Sequence, residues 1–296
     1  MTTTTDIAIT DLTTTTPDGA RLTVAIHHPA HIDPRDVTTP TSTPLIVLAH
    51  GWGATHTVWH ATAQLLAAQG HTVVAYDQRG HGTSTLGDKA LTIQQLGHDL
   101  ATVADALAPH RPVVIAGHSG GGYAALAYAT QLYADDPRTA PQRLVGLLLA
   151  ASAADDQQTP PGELRIMKTK AFQRALKNPR LGRQLLKKTL HPNTPAHTQE
   201  TNRRLFANTN PHTRLTAFAS TSTMDHTPHL RNVTTPTTIL RGTHDTSVGL
   251  THIRTLQTHL PNTTVDTLSD AGHILPLEAP HQLARQIHQL TLASQR

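Results

Sequence analysis

The chain has 296 residues, a formal net charge of +4 and no cysteine, so disulfide bonds and thiolate metal sites are excluded. Charged residues make up only 15% of the chain and aromatic residues 3%. A surface so sparsely charged, with so few rings for stacking on bases, argues against a nucleic-acid partner.

Short apolar runs alternate with helical patterns through most of the sequence. Strands are predicted at residues 21–27, 45–49, 72–76, 112–116, 144–150, 237–241 and 264–268. Helices are predicted at residues 58–69, 93–107, 120–132, 250–260 and 280–292. Because strands and helices alternate with short connections, we expect an α/β fold with a mostly parallel central sheet and helices on both faces.

The alternation stops between residues 152 and 230. This stretch is rich in proline, has no convincing buried strand and contains amphipathic helical pieces such as 164–177. It predicts a helical cap or lid, inserted into a core that residues 1–151 and 231–296 form.

No segment has the pattern of a membrane span or of a secretory signal. The longest apolar run, residues 144–154, is shorter than the ~18 residues that a span needs. Residues 1–6 lack the basic and apolar regions of a signal peptide. We therefore expect no integral membrane segment and a cytoplasmic location.

One serine stands between a predicted strand and a predicted helix. The run Gly117-His118-Ser119-Gly120-Gly121 follows the strand 112–116 directly and opens the next helix. This G-x-S-x-G pattern indicates a sharp turn that exposes the serine hydroxyl, and the turn brings the residues two before and two after the serine into contact. Gly117 and Gly121 then stand where a larger side chain would not fit, and Ser119 is the candidate nucleophile.

The order of such motifs resembles that of the α/β-hydrolase superfamily, in particular its cap-bearing, esterase- and lipase-like serine hydrolases. Five motifs carry the resemblance, at residues 50–53, 77–84, 117–121, 241–245 and 270–273. Each is weak by itself, but together they follow the family's order and intervals.

The resemblance implies a catalytic triad in the family order serine, acid, histidine. Ser119 would be the nucleophile, His273 its general base and Asp245 the acid that orients the imidazole. Asp270 is a rival for the acid, but a residue so close to His273 in one loop is more often a turn residue.

The resemblance also implies an oxyanion hole and a structural loop. The backbone N–H groups of Trp52 and Gly120 would stabilise the oxyanion, and the Trp52 side chain would help to shape the pocket. Asp77 and Arg79 would fix the loop after the fourth strand.

The sequence predicts no cofactor and no metal ion. His56 and His60 stand four residues apart, yet no H-E-x-x-H pattern and no third ligand accompany them. Neither a G-x-x-x-x-G-K-[ST] nor a G-x-G-x-x-G fingerprint occurs, so no nucleotide site is expected.

The predicted cap concentrates positive charge. Nine of its cations fall within 24 residues: Arg165, Lys168, Lys170, Arg174, Lys177, Arg180, Arg183, Lys187 and Lys188. A solvated outer face of the cap is the interpretation that we favour, and weak contact with a membrane surface or an acidic substrate is the alternative.

A serine hydrolase with a small-molecule acyl substrate is the function that these residues favour. The expected substrate is a carboxylic ester, lactone or thioester of a small to medium, largely apolar acyl compound. Serine, where dehalogenases and epoxide hydrolases of this fold carry aspartate, argues against those chemistries. Carbon–carbon bond hydrolysis, a perhydrolase or haloperoxidase-like activity, and a non-catalytic ligand receptor on the same fold remain alternatives.

Overall fold

A computed structural model describes residues 7–29, 43–156 and 159–295 and contains one eight-stranded sheet. The prediction that there is no secretory signal peptide concerns residues 1–6, which lie outside the described residues. The strands are β1 (Ala8–Thr15), β2 (Arg21–His28), β3 (Leu45–Ala49), β4 (Val73–Tyr76), β5 (Val113–His118), β6 (Leu144–Ala150), β7 (Thr237–Gly242) and β8 (Thr263–Leu268). Their order across the sheet is β1-β2-β4-β3-β5-β6-β7-β8.

The sheet is parallel from β4 to β8, and the pairs β1–β2 and β2–β4 are antiparallel. A parallel sheet needs cover on both faces, which is why its central strands β3 to β6 are apolar runs. In β3 all five residues are buried. The predicted α/β fold with a mostly parallel sheet is confirmed.

Helices cover both faces of the sheet, and the sheet separates the apolar core into two clusters. They are α1 (His60–Ala68), α2 (Ile93–Leu107), α3 (Gly120–Asp135), α4 (Ala140–Arg143), α5 (Pro161–Met167), α6 (Lys170–Lys177), α7 (Pro179–Leu186), α8 (Ala196–Asn208), α9 (Pro211–Ala219), α10 (Thr227–Leu230), α11 (Leu250–His259), α12 (Leu275–Glu278) and α13 (Pro280–Ala293). Leu45 and Val47 belong to the apolar cluster that includes residues of α2 and α3, whereas Ile46 and Leu48 belong to the cluster with α1 and α13. Alternate residues of one strand thus pack on opposite faces of the sheet.

The segment predicted as a cap contributes no strand to the sheet in its described part. Six helices, α5 to α10, lie between β6 and β7, with one isolated β-bridge between Asp155 and Asp225. We call residues 152–230 the helical segment; that it acts as a cap stays a prediction. None of the helices in the described ranges is long and apolar enough to cross a membrane.

The helical piece expected at residues 164–177 is interrupted. Helix α5 ends at Met167, and α6 begins at Lys170. The hydroxyl of Thr169 accepts a hydrogen bond from Phe172 N at 3.1 Å. A threonine in this N-cap position satisfies an otherwise unpaired amide, so it favours the start of a new helix there.

Arg79 fixes the loop after β4, as its expected structural role requires. Its guanidinium is fully buried and donates two hydrogen bonds of 2.6 Å to the carboxylate of Asp99. It also donates to both oxygens of Asp18, at 3.0 and 3.1 Å. These contacts raise the pKa of Arg79 against the effect of its burial. A buried cation paired in this way anchors its loop firmly to α2 and to the β1–β2 turn.

Buried neutral histidines make the fold sensitive to acid. Burial lowers the pKa of His27, His71 and His226 to about 4, and that of His81 and His118 to about 3. In the unfolded chain such groups titrate near ~6.5, so between about pH 6.5 and 4 the unfolded chain binds more protons than the folded one. Stability therefore falls as the pH decreases through this window.

We expect the free energy of unfolding to drop by several kcal/mol between about pH 7 and 5, since each such histidine contributes about 1.4 kcal/mol per pH unit. Urea unfolding at the two pH values measures this change. His27→Gln should flatten the pH dependence, whereas His98→Gln, at an exposed position, should leave it unaltered. A stability that does not change across this window would contradict the burial argument.

Candidate active site

The residues predicted to form the site come from four different strands and converge at one edge of the sheet. Trp52 follows β3, Ser119 follows β5, Asp245 follows β7 and His273 follows β8. Because parallel strands place their carboxyl ends at the same edge, loops far apart in the chain meet there. All four residues are largely buried.

Ser119 lies at a strained turn between β5 and α3. Its backbone has φ 50° and ψ −117°, a conformation that residues other than glycine rarely adopt. A Cβ atom on Gly117 would lie 2.3 Å from the carbonyl oxygen of Gly121, and one on Gly121 would lie 2.1 Å from that of Ala49. Both glycines are therefore required by close backbone contacts.

Strand β6 and the residues after it hold the strained turn in place. Ser119 N donates to Ala150 O at 2.9 Å, and the hydroxyl of Ser152 donates to Ser119 O at 3.0 Å. Such strain costs of order 1–3 kcal/mol and persists only where the surroundings fix it. The turn is thus anchored from the neighbouring strand.

Ser119, His273 and Asp245 form a continuous hydrogen-bonded chain. The Ser119 hydroxyl lies 3.1 Å from His273 Nε2, and His273 Nδ1 lies 3.0 Å from Asp245 Oδ2. A carboxylate can only accept, so Nδ1–H donates to Asp245 and Nε2 is left to accept the serine proton. This tautomer is the one that a general base for Ser119 needs.

Asp245 is held as a carboxylate. Burial by itself would raise its pKa, but the adjacent His273 and the N–H groups of Ser247 and Val248 outweigh burial and lower the pKa. These two amides donate to Oδ1 at 2.8 and 3.0 Å. The rival Asp270 is exposed and accepts from the Ser269 hydroxyl at 3.0 Å, so the structure brings Asp245, not Asp270, to His273.

Trp52 and Gly120 lie side by side next to Ser119. A Cβ atom on Gly120 would come within 2.4–2.5 Å of the Trp52 ring, and one on Gly51 would lie 3.0 Å from Ser119 Cβ. In the described part of the chain no protein acceptor takes the amide hydrogen of either Trp52 or Gly120. Two backbone donors without a protein acceptor thus lie close to the serine, and their role as an oxyanion hole stays a prediction.

His118 is a site residue to which the sequence analysis gave no role. Its Nε2–H donates to the carbonyl oxygen of His273 at 2.8 Å. Burial, with the neighbouring His273, lowers the pKa of His118 to about 3, so the ring stays neutral. A neutral donor holds the His273 loop without placing a charge beside the imidazole. In the sequence, its position directly before Ser119 is the feature that could have indicated a place in the site.

The helical segment is hydrogen-bonded to both loops of the site. His273 N donates to Thr189 O at 2.9 Å, and the Thr246 hydroxyl donates to Lys188 O at 3.0 Å. Glu278 joins the same region, because its carboxylate accepts from His191 N at 2.6 Å and from Gly272 N at 3.1 Å. The loops carrying His273 and Asp245 therefore depend on this part of the chain for their position.

His56, one of the two histidines considered as metal ligands, is bonded to Asp77. His56 donates to Asp77 Oδ1 from its backbone N at 2.7 Å and from Nδ1 at 2.8 Å. Thr83 N donates to the other carboxylate oxygen at 3.2 Å, so Asp77 fixes the loop after β4. Among the residues that the structure describes, no cluster of three or more histidine or acidic side chains is arranged to hold a metal ion.

Together the fold and the site define a class: an α/β protein with a strained serine, a histidine and an aspartate at the carboxyl edge of its sheet. A model of the alpha/beta hydrolase family matches residues 46–286, which is most of the chain. The chain belongs to this family.

Related proteins match only part of the chain. It is 35% identical over 98 residues to the bifunctional esterase/perhydrolase DCH of Acinetobacter calcoaceticus, covering 33% of this chain and 35% of that protein. It is 36% identical over 104 residues to the monoacylglycerol lipase of Mycolicibacterium smegmatis, covering 32% of this chain and 36% of that protein. The alignments thus span about a third of the length of these relatives.

Solved structures share the fold over almost the whole chain. An esterase from Exiguobacterium antarcticum superposes with a TM-score of 0.77 at 17% identity, covering 96% of this chain and all of that one. A thermophilic esterase from Thermogutta terrifontis gives a TM-score of 0.72 at 22% identity, covering 98% of this chain and all of that one. At such low identity the likeness establishes the fold alone.

Proposed function

We propose that the protein is a serine hydrolase that cleaves a carboxylic ester, lactone or thioester through an acyl-enzyme. One observation carries this proposal: the chain of contacts from the Ser119 hydroxyl to His273 Nε2, at 3.1 Å, and from His273 Nδ1 to Asp245, at 3.0 Å. Serine is a weak nucleophile unless a base takes its proton, and these hydrogen bonds provide His273 as that base.

In the first half of the reaction Ser119 attacks the carbonyl carbon of the substrate. As the bond forms, the serine proton passes to His273 Nε2, and Asp245 stabilises the resulting imidazolium without taking the proton. The carbonyl oxygen becomes an oxyanion, which the amides of Trp52 and Gly120 would stabilise. The oxyanion then re-forms the carbonyl as the bond from carbon to the leaving group breaks. His273 gives its proton to the departing group, and the acyl-enzyme remains.

In the second half water replaces the leaving group. His273 removes a proton from water, the hydroxide attacks the acyl carbon, and Ser119 leaves with the proton that His273 returns. The products are a carboxylic acid and the free enzyme. No cofactor or metal ion enters either half.

An apolar acyl group of small to medium size suits the surroundings of the site. A Cβ atom on Gly53, directly after Trp52, would lie 2.3 Å from the ring of Phe206 in α8. Phe206 lies edge-on to Phe218 of α9, with ring centroids 6.3 Å apart. The ring of Phe206 thus lies against the loop that carries Trp52, and the two aromatic side chains favour an apolar substrate.

Perhydrolysis is a second candidate, favoured by the similarity to a bifunctional esterase/perhydrolase. The same acyl-enzyme would then be attacked by hydrogen peroxide in place of water, releasing a peracid and free Ser119. Adding hydrogen peroxide during ester turnover and measuring peracid separates the two outcomes.

A fluorophosphonate probe tests the proposal directly. We expect covalent labelling of the protein, loss of labelling in Ser119→Ala, and unchanged labelling in the control Ser222→Ala, which alters an exposed serine of the helical segment. The probe phosphonylates only an activated serine, so labelling reports the triad and not the substrate. Folded protein that stays unlabelled would instead favour a ligand receptor.

A further inference from the structure

Positive charge is concentrated in one short part of the helical segment. Residues 161–190 contain nine basic residues and one acidic residue, Glu163, whereas the whole chain carries a net charge of only +4. The remainder of the chain is therefore net acidic. A field of one sign, confined to helices α5 to α7 and the turn after them, is unlike the mixed charges elsewhere.

Most of these cations are exposed and have no acidic partner among the described residues. Eight of the nine are exposed: Arg165, Lys168, Lys170, Arg174, Lys177, Arg180, Lys187 and Lys188. The ninth, Arg183, is half-buried and pairs with Glu200 at 3.1 Å. Within the described residues this is the only ion pair that any of the nine makes, so the charge of the others is directed at solvent.

Large aliphatic side chains are exposed among the cations. Ile166 is 57% exposed, Leu181 55% and Leu185 47%. They are three of the seven large hydrophobic side chains that are exposed in the described part of the chain, although α5 to α7 form a small fraction of it. Leaving such side chains in water costs free energy, which burial in an apolar medium would recover.

The helical periodicity places these residues on outward faces. Lys170, Arg174 and Lys177 recur at i, i+4 and i+7 on α6, and Leu181 and Leu185 recur at i and i+4 on α7. Helices α6 and α7 pack against each other and against α8. The exposed faces therefore point away from α8. We call the exposed residues between positions 162 and 188 the cationic surface.

We propose that the cationic surface docks on an anionic lipid membrane. The cations suit lipid phosphate and carboxylate groups, and the three aliphatic side chains suit the boundary between headgroups and acyl chains. A nucleic acid would use the cations but not the aliphatic side chains, and the surface offers few rings for bases to stack on. The combination selects lipid over other polyanions.

The cationic surface is connected to the candidate active site through the backbone. Helix α7 continues into a turn, Lys187–Thr189, whose carbonyl oxygens accept the hydrogen bonds from Thr246 and His273. A membrane bound at α7 would thus lie at the end of the helical segment that holds the two loops of the site. Docking is nevertheless independent of catalysis, so its test does not rest on the proposed hydrolase activity.

Vesicle co-sedimentation tests the role of the cations. We expect binding to vesicles of equal parts phosphatidylglycerol and phosphatidylcholine, weakening as salt is added, and little binding to phosphatidylcholine alone. The triple variant Lys170→Gln, Arg174→Gln, Lys177→Gln should bind about 100-fold more weakly, since each cation near an anionic surface contributes about fivefold. The matched control Arg138→Gln, Arg254→Gln, Arg285→Gln removes three exposed cations elsewhere and should bind like the unaltered protein.

A second pair of variants tests the aliphatic side chains. Leu181→Gln with Leu185→Gln should weaken vesicle binding at least about tenfold, because two partly exposed leucines lose their burial in lipid. Leu250→Gln with Leu292→Gln, at exposed leucines of α11 and α13, should leave binding unchanged. Circular dichroism and thermal unfolding of each variant establish that the comparison is made between folded proteins.

Several results would overturn the proposal. Equal binding to anionic and neutral vesicles, or an equal loss in the cationic-surface triple variant and the control triple variant, would remove the role of the cationic surface. Binding to heparin or duplex DNA without binding to vesicles would assign the surface to another polyanion. A dimer in sedimentation velocity that dissociates in the Leu181, Leu185 variant, without vesicle binding, would assign it to a second copy of the chain.

Discussion

Ser119→Ala and His273→Ala are each expected to lower kcat for a p-nitrophenyl ester by about 10⁶-fold, and the double variant by no more than either alone. The reason is geometric. The hydroxyl and the imidazole are hydrogen-bonded at 3.1 Å and act in one proton transfer, so removing either partner leaves the other without a function. Stopped assays at high enzyme concentration measure the residual rates.

The control variants alter the same residue types at exposed positions of the helical segment. Ser222→Ala and His212→Ala should retain full activity. If Ser119→Ala keeps more than about a tenth of the activity, the nucleophile lies elsewhere. If the double variant is far less active than both single variants, Ser119 and His273 contribute independently and do not form one catalytic unit.

The sequence predicts those parts of the molecule that depend on local pattern. Strands β3 to β6 are apolar runs bounded by turn residues, the pattern typical of strands buried on both faces of a parallel sheet. Ser119 could be identified because close contacts at its turn require glycine at positions 117 and 121, and these glycines are visible in the sequence.

Strand β1 was not predicted, for a physical reason. It lies at the edge of the sheet, where β2 is its one partner among the described strands, and most of its side chains are exposed or half-buried. The threonines at residues 13–15 favour strand structure, so this edge strand forms without an apolar run. A threonine-rich tract that looks like low complexity in the sequence is therefore a strand in the fold.

The contacts that hold the site could not be predicted from pattern either. Thr189 O and His118 Nε2 both bond to the backbone of His273, and Glu278 bonds to that of Gly272. A bond to a backbone group places no requirement on the residue type that provides the group. Such contacts depend on how distant loops converge, which only the folded chain shows.

Asp245→Asn is expected to lower kcat by about 10⁴-fold while the protein stays folded. The N–H groups of Ser247 and Val248 donate to one oxygen of Asp245, so the carbonyl oxygen of an asparagine would take that position. Its NH₂ group would then face His273 Nδ1 and donate to it. The imidazole would carry its proton on Nε2 and could no longer accept the proton of Ser119.

Asp270→Asn is the matched control, because Asp270 is exposed, lies in the loop of His273 and makes no contact with the imidazole. It should retain activity close to that of the unaltered protein. Steady-state kinetics of the two variants, together with the thermal unfolding of each, separate a catalytic from a structural effect. A severe loss in Asp270→Asn with activity preserved in Asp245→Asn would transfer the orienting role to Asp270 and require the His273 loop to rearrange during turnover.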